Sequence, residues 1–474
     1  LLVFGNFFDG NVEELFEVLI MERSYSDGIA FFIVDRFSVK GHADKFLIII
    51  IEIDFKSSGI LIEFGKSLKS AFAERMFDHS FKLCSRYGNA VNFIAIRENL
   101  KKVFYYNEFR KGETYTYDED CLFLNVFTPD TAKEGDKLPV LVYIHGGGYT
   151  GGCGHEKHFD GPVWPEKGII GVTLNYRLGP MGFVCLPELE AEAGHTGNYG
   201  LYDQMTAIRW VKDNIAAFGG DPENITIMGQ SAGAASVQLL CQSPLAEGLF
   251  QKAVMSSGCG LGGMLSCKQE TSCAFWQEVM TRCGCKDLSE FRNLPVETLF
   301  SVWQSAKKEI KGGAAAAFPV TDGHFAVAGG KAKNIPYMAG STSHDMMPPF
   351  IYQMAKSWCA AQVKPSYTWF FDRMLPGDKN GAWHSSDLWY WFGTLDNCWR
   401  PMTKKDQDLS NQMAEYLVNF CKYGDPNGAG LTAWIPVSKG QSKSLCLGEQ
   451  ETRMAKPSML KMTKTMLTNK AVGE

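Results

Sequence analysis

The stretch that most constrains this chain is Thr226-Ile227-Met228-Gly229-Gln230-Ser231-Ala232-Gly233-Ala234. It reads as a short apolar strand, a sharp turn, and the first residues of a helix of small side chains. Residues 229–233 fit the spacing G-x-S-x-G. A serine at the tip of a strained strand-to-helix turn points its hydroxyl into open space. The positions two residues to either side face the crowded strand and helix, and only glycine fits there. The helix N-terminus behind the serine adds backbone N–H groups and a positive dipole end. In a chain with 48 glycines the pentapeptide alone is weak, so its context decides what it means.

That context is an alternation of strands and helices. Leu122, Leu124 and Val126 alternate as in a half-buried strand. Residues 138–144 are a continuous apolar run, the pattern of a strand buried on both faces. The run ends in His145-Gly146-Gly147-Gly148, where three glycines let the backbone turn with its N–H groups exposed, a setting suited to a developing oxyanion. Residues 168–177 read as the next buried strand. Residues 198–218 read as a helix, with Leu201, Met205, Ile208, Val211 and Ile215 on one face, stopped by Gly219-Gly220-Asp221-Pro222. A strand at 225–228, a helix at 232–241 and a strand at 252–258 follow. The alternation predicts a mostly parallel α/β sheet, with ligands bound at the carboxyl ends of its strands, where both glycine motifs lie.

Composition excludes several classes of function. With 474 residues and 45% hydrophobic content, the chain can build one large α/β domain or two to three smaller ones. A net charge of -5 carries no nucleic-acid signature and no basic patch for an anionic membrane. The longest apolar run, residues 46–51, is far too short for a membrane span and reads as a buried strand. The 14 cysteines form no paired framework, and Cys283-Gly284-Cys285 lacks the spacing of a zinc knuckle. Reduced thiols and no recognisable signal peptide give the expectation of a cytoplasmic protein. The chain begins at Leu1, so an export signal ahead of it stays open. Residues 1–103 carry no motif or repeat and are expected to form a few strands and helices of unassigned role.

Several segments occur in one order: Glu119-Asp120-Cys121-Leu122, the loop at 145–148, Asn175-Tyr176-Arg177-Leu178-Gly179, Gly197-Asn198-Tyr199-Gly200-Leu201-Tyr202-Asp203-Gln204, Phe218-Gly219-Gly220-Asp221-Pro222 and the elbow at 229–233. Together they resemble the type-B carboxylesterase/lipase family, relatives of the cholinesterases within the α/β-hydrolase fold. The resemblance runs from residue 104 to 460 and implies a hydrolase domain over residues 104–474.

A serine hydroxyl needs a base, and the base needs an orienting carboxylate. In this fold the chain order is Ser, then Asp or Glu, then His. His384, in Gly381-Ala382-Trp383-His384, is the last of the nine histidines, follows every candidate acid, and is similar to the family's G-x-x-H motif. Asp345 follows Gly340 at the family's glycine-to-acid spacing, although the family usually carries Glu there. Asp322 and Asp372 are weaker candidates, and Asp322-Gly323 reads better as a turn.

The resemblance implies further roles. The N–H groups of Gly147, Gly148 and Ala232 would form the oxyanion hole. Gln230 occupies the elbow position where cholinesterases carry Glu. Arg177 and Asp203 would be structural partners, and Trp383 and Trp389 either line the pocket or fill the core. There are two departures from the family. Its N-terminal section is not recognisable in residues 1–103, so Glu119 is expected to lack its usual arginine partner. Asp345 and His384 are also only 39 positions apart (384 − 345 = 39), an interval that is several dozen residues longer in the family and contains pocket-lining helices.

The expectation is a serine carboxylesterase with a Ser231–His384–Asp345 triad, a small-molecule ester substrate, and no metal or organic cofactor. The competing reading is a non-catalytic binding protein of the same fold, a class that typically loses the Ser or His. Neither the natural ester nor the oligomeric state is legible in the sequence.

Overall fold

The computed structural model describes residues 104–113, 121–264, 266–441, 443–448 and 451–468, together with the strands β1 to β4 (Leu19–Tyr25, Gly28–Phe37, Lys45–Asp54 and Gly59–Gly65). The chain continues through β5 (Leu124–Pro129), β6 (Leu138–Ile144), β7 (Ile170–Leu174), β8 (Gly220–Gln230) and β9 (Lys252–Ser256). A short parallel pair follows, β10 (Cys267–Lys268) with β11 (Val320–Thr321), and then β12 (Tyr337–Thr342), β13 (Ser366–Phe371), β14 (Ser444–Leu447) and β15 (Thr452–Ala455).

The main sheet has the order β1-β2-β3-β4-β5-β7-β6-β8-β9-β12-β13-β14-β15. From β7 to β14 every neighbouring pair is parallel, and antiparallel pairs lie only toward the two edges. Helices flank this sheet, which is the α/β-hydrolase fold expected from the alternation of elements. The N-terminal strands join the same sheet, with Gly59 to Glu63 of β4 paired to β5. The Phe46-to-Ile51 run lies in β3; the burial of its side chains, like Glu119 and its partner, is outside the described residues.

The apolar runs explain why the parallel strands lie inside. In β6, Val140, Val142 and Ile144 enter one core, while Leu141 and Tyr143 enter the core on the opposite face. β8 and β9 repeat this split, with Ile227 and Met255 on one side and Met228 and Val254 on the other. Successive side chains of a strand point to opposite faces, so a strand covered on both faces needs apolar residues throughout. The first core is closed by the helix Tyr199–Asn214, whose Leu201, Met205, Ile208 and Val211 are all buried, and by the helix Ala232–Gln242 that follows β8. The second is closed by the helix Lys404–Tyr423, which begins with a capping box between Thr403 and Asp406 and ends at Gly424 in the left-handed region.

The centre of the sheet has no room to spare. A Cβ on Gly233 would overlap the Ile144 carbonyl oxygen at the end of β6, and one on Gly229 would overlap the Gly233 carbonyl. The obstacles are backbone and cannot swing aside. Gly233→Ala should therefore cost about 3 kcal/mol of stability. Gly248, at φ +73 with open space around it, should lose only about 1 kcal/mol as Ala. Urea unfolding of the two variants checks this; equal losses would refute the packing argument.

Candidate active site

Ser231 caps the helix Ala232–Gln242 with φ 56 and ψ −125, a left-handed backbone that a side chain rarely adopts. Two bonds hold it there. Its N–H donates to Ser256 O at 2.9 Å, tying the elbow to β9, and its carbonyl accepts from Ala235 N at 3.0 Å within the helix. The glycine loop presses on the same turn, since a Cβ on Gly146 would lie 2.8 Å from Gln230 O and 3.0 Å from Ser231 Cβ. In that loop Gly147 and Gly148 both have positive φ, 108 and 61, and Gly147 O accepts from Thr150 N and Gly151 N, each at 3.1 Å. Among the described residues the N–H groups of Gly147 and Gly148 donate to no acceptor.

His145 opens the loop and is structural. It stacks on Tyr176 at 4.4 Å, and its Nδ1 bonds the Gly146 carbonyl at 2.8 Å. Burial pushes its imidazole down to about 3, so it stays neutral near pH 7.

Asp345 and His384 come from loops beyond β12 and β13. These loops are joined by a bridge between His344 and Trp383, in which His344 N donates to Ala382 O at 2.9 Å. This brings the next residue of each loop face to face, and His384 Nδ1 lies 2.6 Å from Asp345 Oδ1. Both side chains are buried. Asp345 Oδ1 also accepts from Met346 N at 2.9 Å, and Oδ2 from Thr342 N and Oγ1, each at 3.3 Å. Burial alone would raise the Asp345 carboxyl. The interaction with the His384 ring and the hydrogen bond from the Met346 N–H outweigh it and hold the carboxyl below its usual range. An ionised Asp345 takes the Nδ1 proton of the ring as its donor and leaves the lone pair on Nε2. That lone pair accepts from Gln230 Nε2 at 3.1 Å, and among the described residues the Ser231 hydroxyl makes no hydrogen bond.

The other acids lie elsewhere. Asp322 is a turn residue, accepting from His324 N and Ala326 N through Oδ1 and from Asn198 Nδ2 through Oδ2. Asp372 faces Lys461 in a separate cleft of about 410 Å³ along β13 to β15, which includes none of the elbow or glycine-loop residues. Arg177 and Asp203 form a buried two-pronged pair at 2.6 Å, as a structural role requires. Trp383 and Trp389 are fully buried and belong to the second core.

Three features around His384 were not anticipated from the sequence. One is the Gln230 amide. The second is the helix Phe104–Phe109: its Tyr105 ring stands edge-on to His384 at 6.5 Å, and its Phe104 packs on Trp383 at 4.8 Å. Glu108 on that helix pairs with Arg400, which also meets Asp378, the acceptor of the Trp383 indole N–H. The third is Asp387, fully buried three residues after the base, accepting from Ser256 Oγ at 2.8 Å and Trp391 Nε1 at 3.1 Å while its Oδ1 has no partner. The spacing of His384 and Asp387 around one turn was the available signal for it; the aromatic helix had none.

The sequence model of the carboxylesterase family matches residues 98–362 and 349–466. The chain belongs to the carboxylesterase family. Family membership makes it a carboxylic ester hydrolase. The chain is 31% identical over 396 residues to the para-nitrobenzyl esterase of Bacillus subtilis (strain 168), covering 70% of this chain and 80% of that protein. It is also 36% identical over 208 residues to the neuroligin-like protein glit-1 of Caenorhabditis elegans, covering 39% of this chain and 27% of that one. A solved PNB esterase structure superposes with a TM-score of 0.66 at 26% identity, covering 76% of this carboxylesterase and 85% of that chain. The two family matches overlap on the helix Pro348–Ala360, inside the interval between acid and base that is short in this sequence.

Asp387 gives the carboxylesterase a pH-dependent stability. Burial pushes its carboxyl up to about 6, above an unfolded value of 3.8, against the bonds from Ser256 and Trp391. The folded state thus holds this proton more tightly than the unfolded state. The contribution is fully present below about pH 4 and is lost as pH rises through about 6, a loss of about 3 kcal/mol. Asp387→Asn should flatten the stability profile across that window, measured by urea unfolding from pH 4 to 8. A variant with the wild-type slope would assign the pH dependence to another group.

Proposed function

We propose that this carboxylesterase hydrolyses carboxylic esters through an acyl-enzyme, with Ser231 as nucleophile, His384 as general base and acid, and Asp345 as the orienting carboxylate. The observation that carries the reading is the 2.6 Å Asp345–His384 contact beside a serine held at positive φ. In the first half-reaction Ser231 Oγ bonds to the ester carbonyl carbon as its proton passes to His384 Nε2. The Gln230 amide gives up that nitrogen as the serine hydroxyl takes its place, since catalytic hydrogen bonds often form only in the substrate complex. Asp345 stabilises the imidazolium. The N–H groups of Gly147, Gly148 and Ala232 receive the negative oxygen. Collapse of the intermediate breaks the bond to the alkoxy oxygen, which leaves as the alcohol with the proton from His384. In the second half, water gives a proton to His384 and its oxygen to the acyl carbon, releasing the acid and restoring Ser231.

Ser231→Ala should lower kcat by about 10⁶ and Asp345→Asn by about 10⁴, while Asp322→Asn leaves kcat near wild type. Hydrolysis of a short p-nitrophenyl ester measures all three, and an organophosphate should label Ser231. Labelling of another serine removes the assignment. A folded wild-type chain without turnover favours the non-catalytic binding reading.

The substrate class follows from the short interval between acid and base. Between Asp345 and His384 the chain builds one helix, Pro348–Ala360, and one strand, β13. Met346 and Phe350, just after Asp345, are 57% and 44% exposed, an apolar surface left open among the described residues. A shallow acyl wall buries few methylenes, each worth about 0.8 kcal/mol, so long acyl chains lose most. Across p-nitrophenyl esters from acetate to palmitate, kcat/KM should be highest for short chains; a steady rise with length would indicate a deep apolar pocket.

A further inference from the structure

We propose that Cys185 and Cys273 are an oxidisable pair that closes into a disulfide when a small neutral hydroperoxide reaches Cys273. The two sulfurs lie 3.4 Å apart. Cys185 and Cys273 are both free thiols, and theirs is the one sulfur–sulfur hydrogen-bond contact among the described residues. Their settings differ in a useful way. Cys185 is fully buried in the segment between the helices Gly179–Phe183 and Pro187–Ala193, with its Sγ 3.9 Å from Gln269 O. Cys273 is partly exposed on the helix Gln269–Arg282. The accessible sulfur is therefore the one that meets an oxidant, and the buried one is the one that resolves it.

The contact also divides their acidity. The hydrogen bond from the Cys185 thiol lowers Cys273, and the same bond with burial raises Cys185. Cys273 is thus the more acidic of the two thiols and the one that reacts as its thiolate. Glu188, Glu190 and Glu270 stand near Cys273 and oppose its ionisation. Those three carboxylates also repel anionic disulfides such as oxidised glutathione, and they leave an uncharged peroxide as the favoured oxidant.

The chemistry balances. The Cys273 thiolate attacks one peroxide oxygen, the S–O bond forms, the O–O bond breaks, and hydroxide leaves to be protonated to water. The Cys185 sulfur then attacks the Cys273 sulfenic acid, the S–S bond forms, and the second oxygen leaves as water. Two thiols lose two electrons and two protons, and hydrogen peroxide becomes two waters. The sulfurs must approach to about 2.05 Å, a shift within reach of side-chain rotation. The bond would join positions 88 residues apart and pin the outer helix Gln269–Arg282 to the layer over the sheet, restricting the unfolded chain most of all.

The experiment treats the purified full chain with one equivalent of hydrogen peroxide, blocks remaining thiols with N-ethylmaleimide, and maps peptides by mass spectrometry without reduction. The expected result is a Cys185–Cys273 linked peptide that dithiothreitol separates, with Tm raised by several degrees in the oxidised protein only. Cys185→Ser should leave Cys273 as a sulfenic acid trapped by dimedone, and Cys273→Ser should leave Cys185 unreacted; both should lose the Tm shift while matching the reduced wild type. A link from Cys273 to Cys267, oxidation of wild-type Cys273 without any link, or a Tm shift that persists in both variants overturns the proposal. None of these readouts uses ester turnover, so the result stands apart from the triad assignment.

Discussion

The backbone of Ser231 is the constraint on which the rest of the site depends. At φ 56 it occupies a conformation that costs on the order of 1–2 kcal/mol for a residue with a side chain, and it persists because its surroundings leave no alternative. β6, β8 and β9 converge there. The Ser256 carbonyl holds the Ser231 N–H, Gly258 lies against the Ser231 carbonyl, and Gly146 lies against its Cβ. Each contact uses backbone or a glycine, so the elbow is defined by chain paths rather than by adaptable side chains.

The second half of the site is a pair of loops joined before their side chains act. The bridge from His344 to Trp383 sets the spacing, and Asp345 and His384 meet as the next residue on each side. Burial would work against an ionised Asp345, and its hydrogen bonds together with the charge of His384 reverse that. Asp387, without such compensation, moves in the opposite direction although it lies three residues from the base. Two carboxyls in one buried region therefore differ in character because Asp345 is bonded by the His384 ring and by backbone donors, while Asp387 has two neutral donors on one oxygen and none on the other. Gln230 adds a neutral amide at His384 Nε2, where a carboxylate would have added a charge.

The His384 loop is also held by the helix Phe104–Phe109. Phe104, Tyr105 and Phe109 pack around Trp383 and His384, and the Glu108–Arg400–Asp378 chain fixes that helix to the loop. This helix packs beside His384, while the strands of the N-terminal region extend the edge of the sheet beyond β5.

Local pattern alone determined much of this protein. The continuous apolar run at 138–144 required a strand covered on both faces, and the helical spacing from Leu201 to Ile215 required one buried face. The glycines at 229 and 233 required a turn with no room for side chains, and all of these features are present. The order of serine, acid and histidine narrowed the partners of Ser231 to a few residues. What sequence could not decide was distance. Whether Asp345 or Asp322 meets the base depends on loops 39 and 62 residues from His384 (384 − 345 = 39; 384 − 322 = 62) and on which of them bridges to it. The Tyr105 contact, the lone oxygen of Asp387, the burial of Trp383 and Trp389, and the meeting of Cys185 with Cys273 likewise join segments remote in the chain. Periodicity reports which face of an element is apolar. Only the packed structure decides which remote polar groups come within hydrogen-bonding reach, because that depends on how whole elements are stacked.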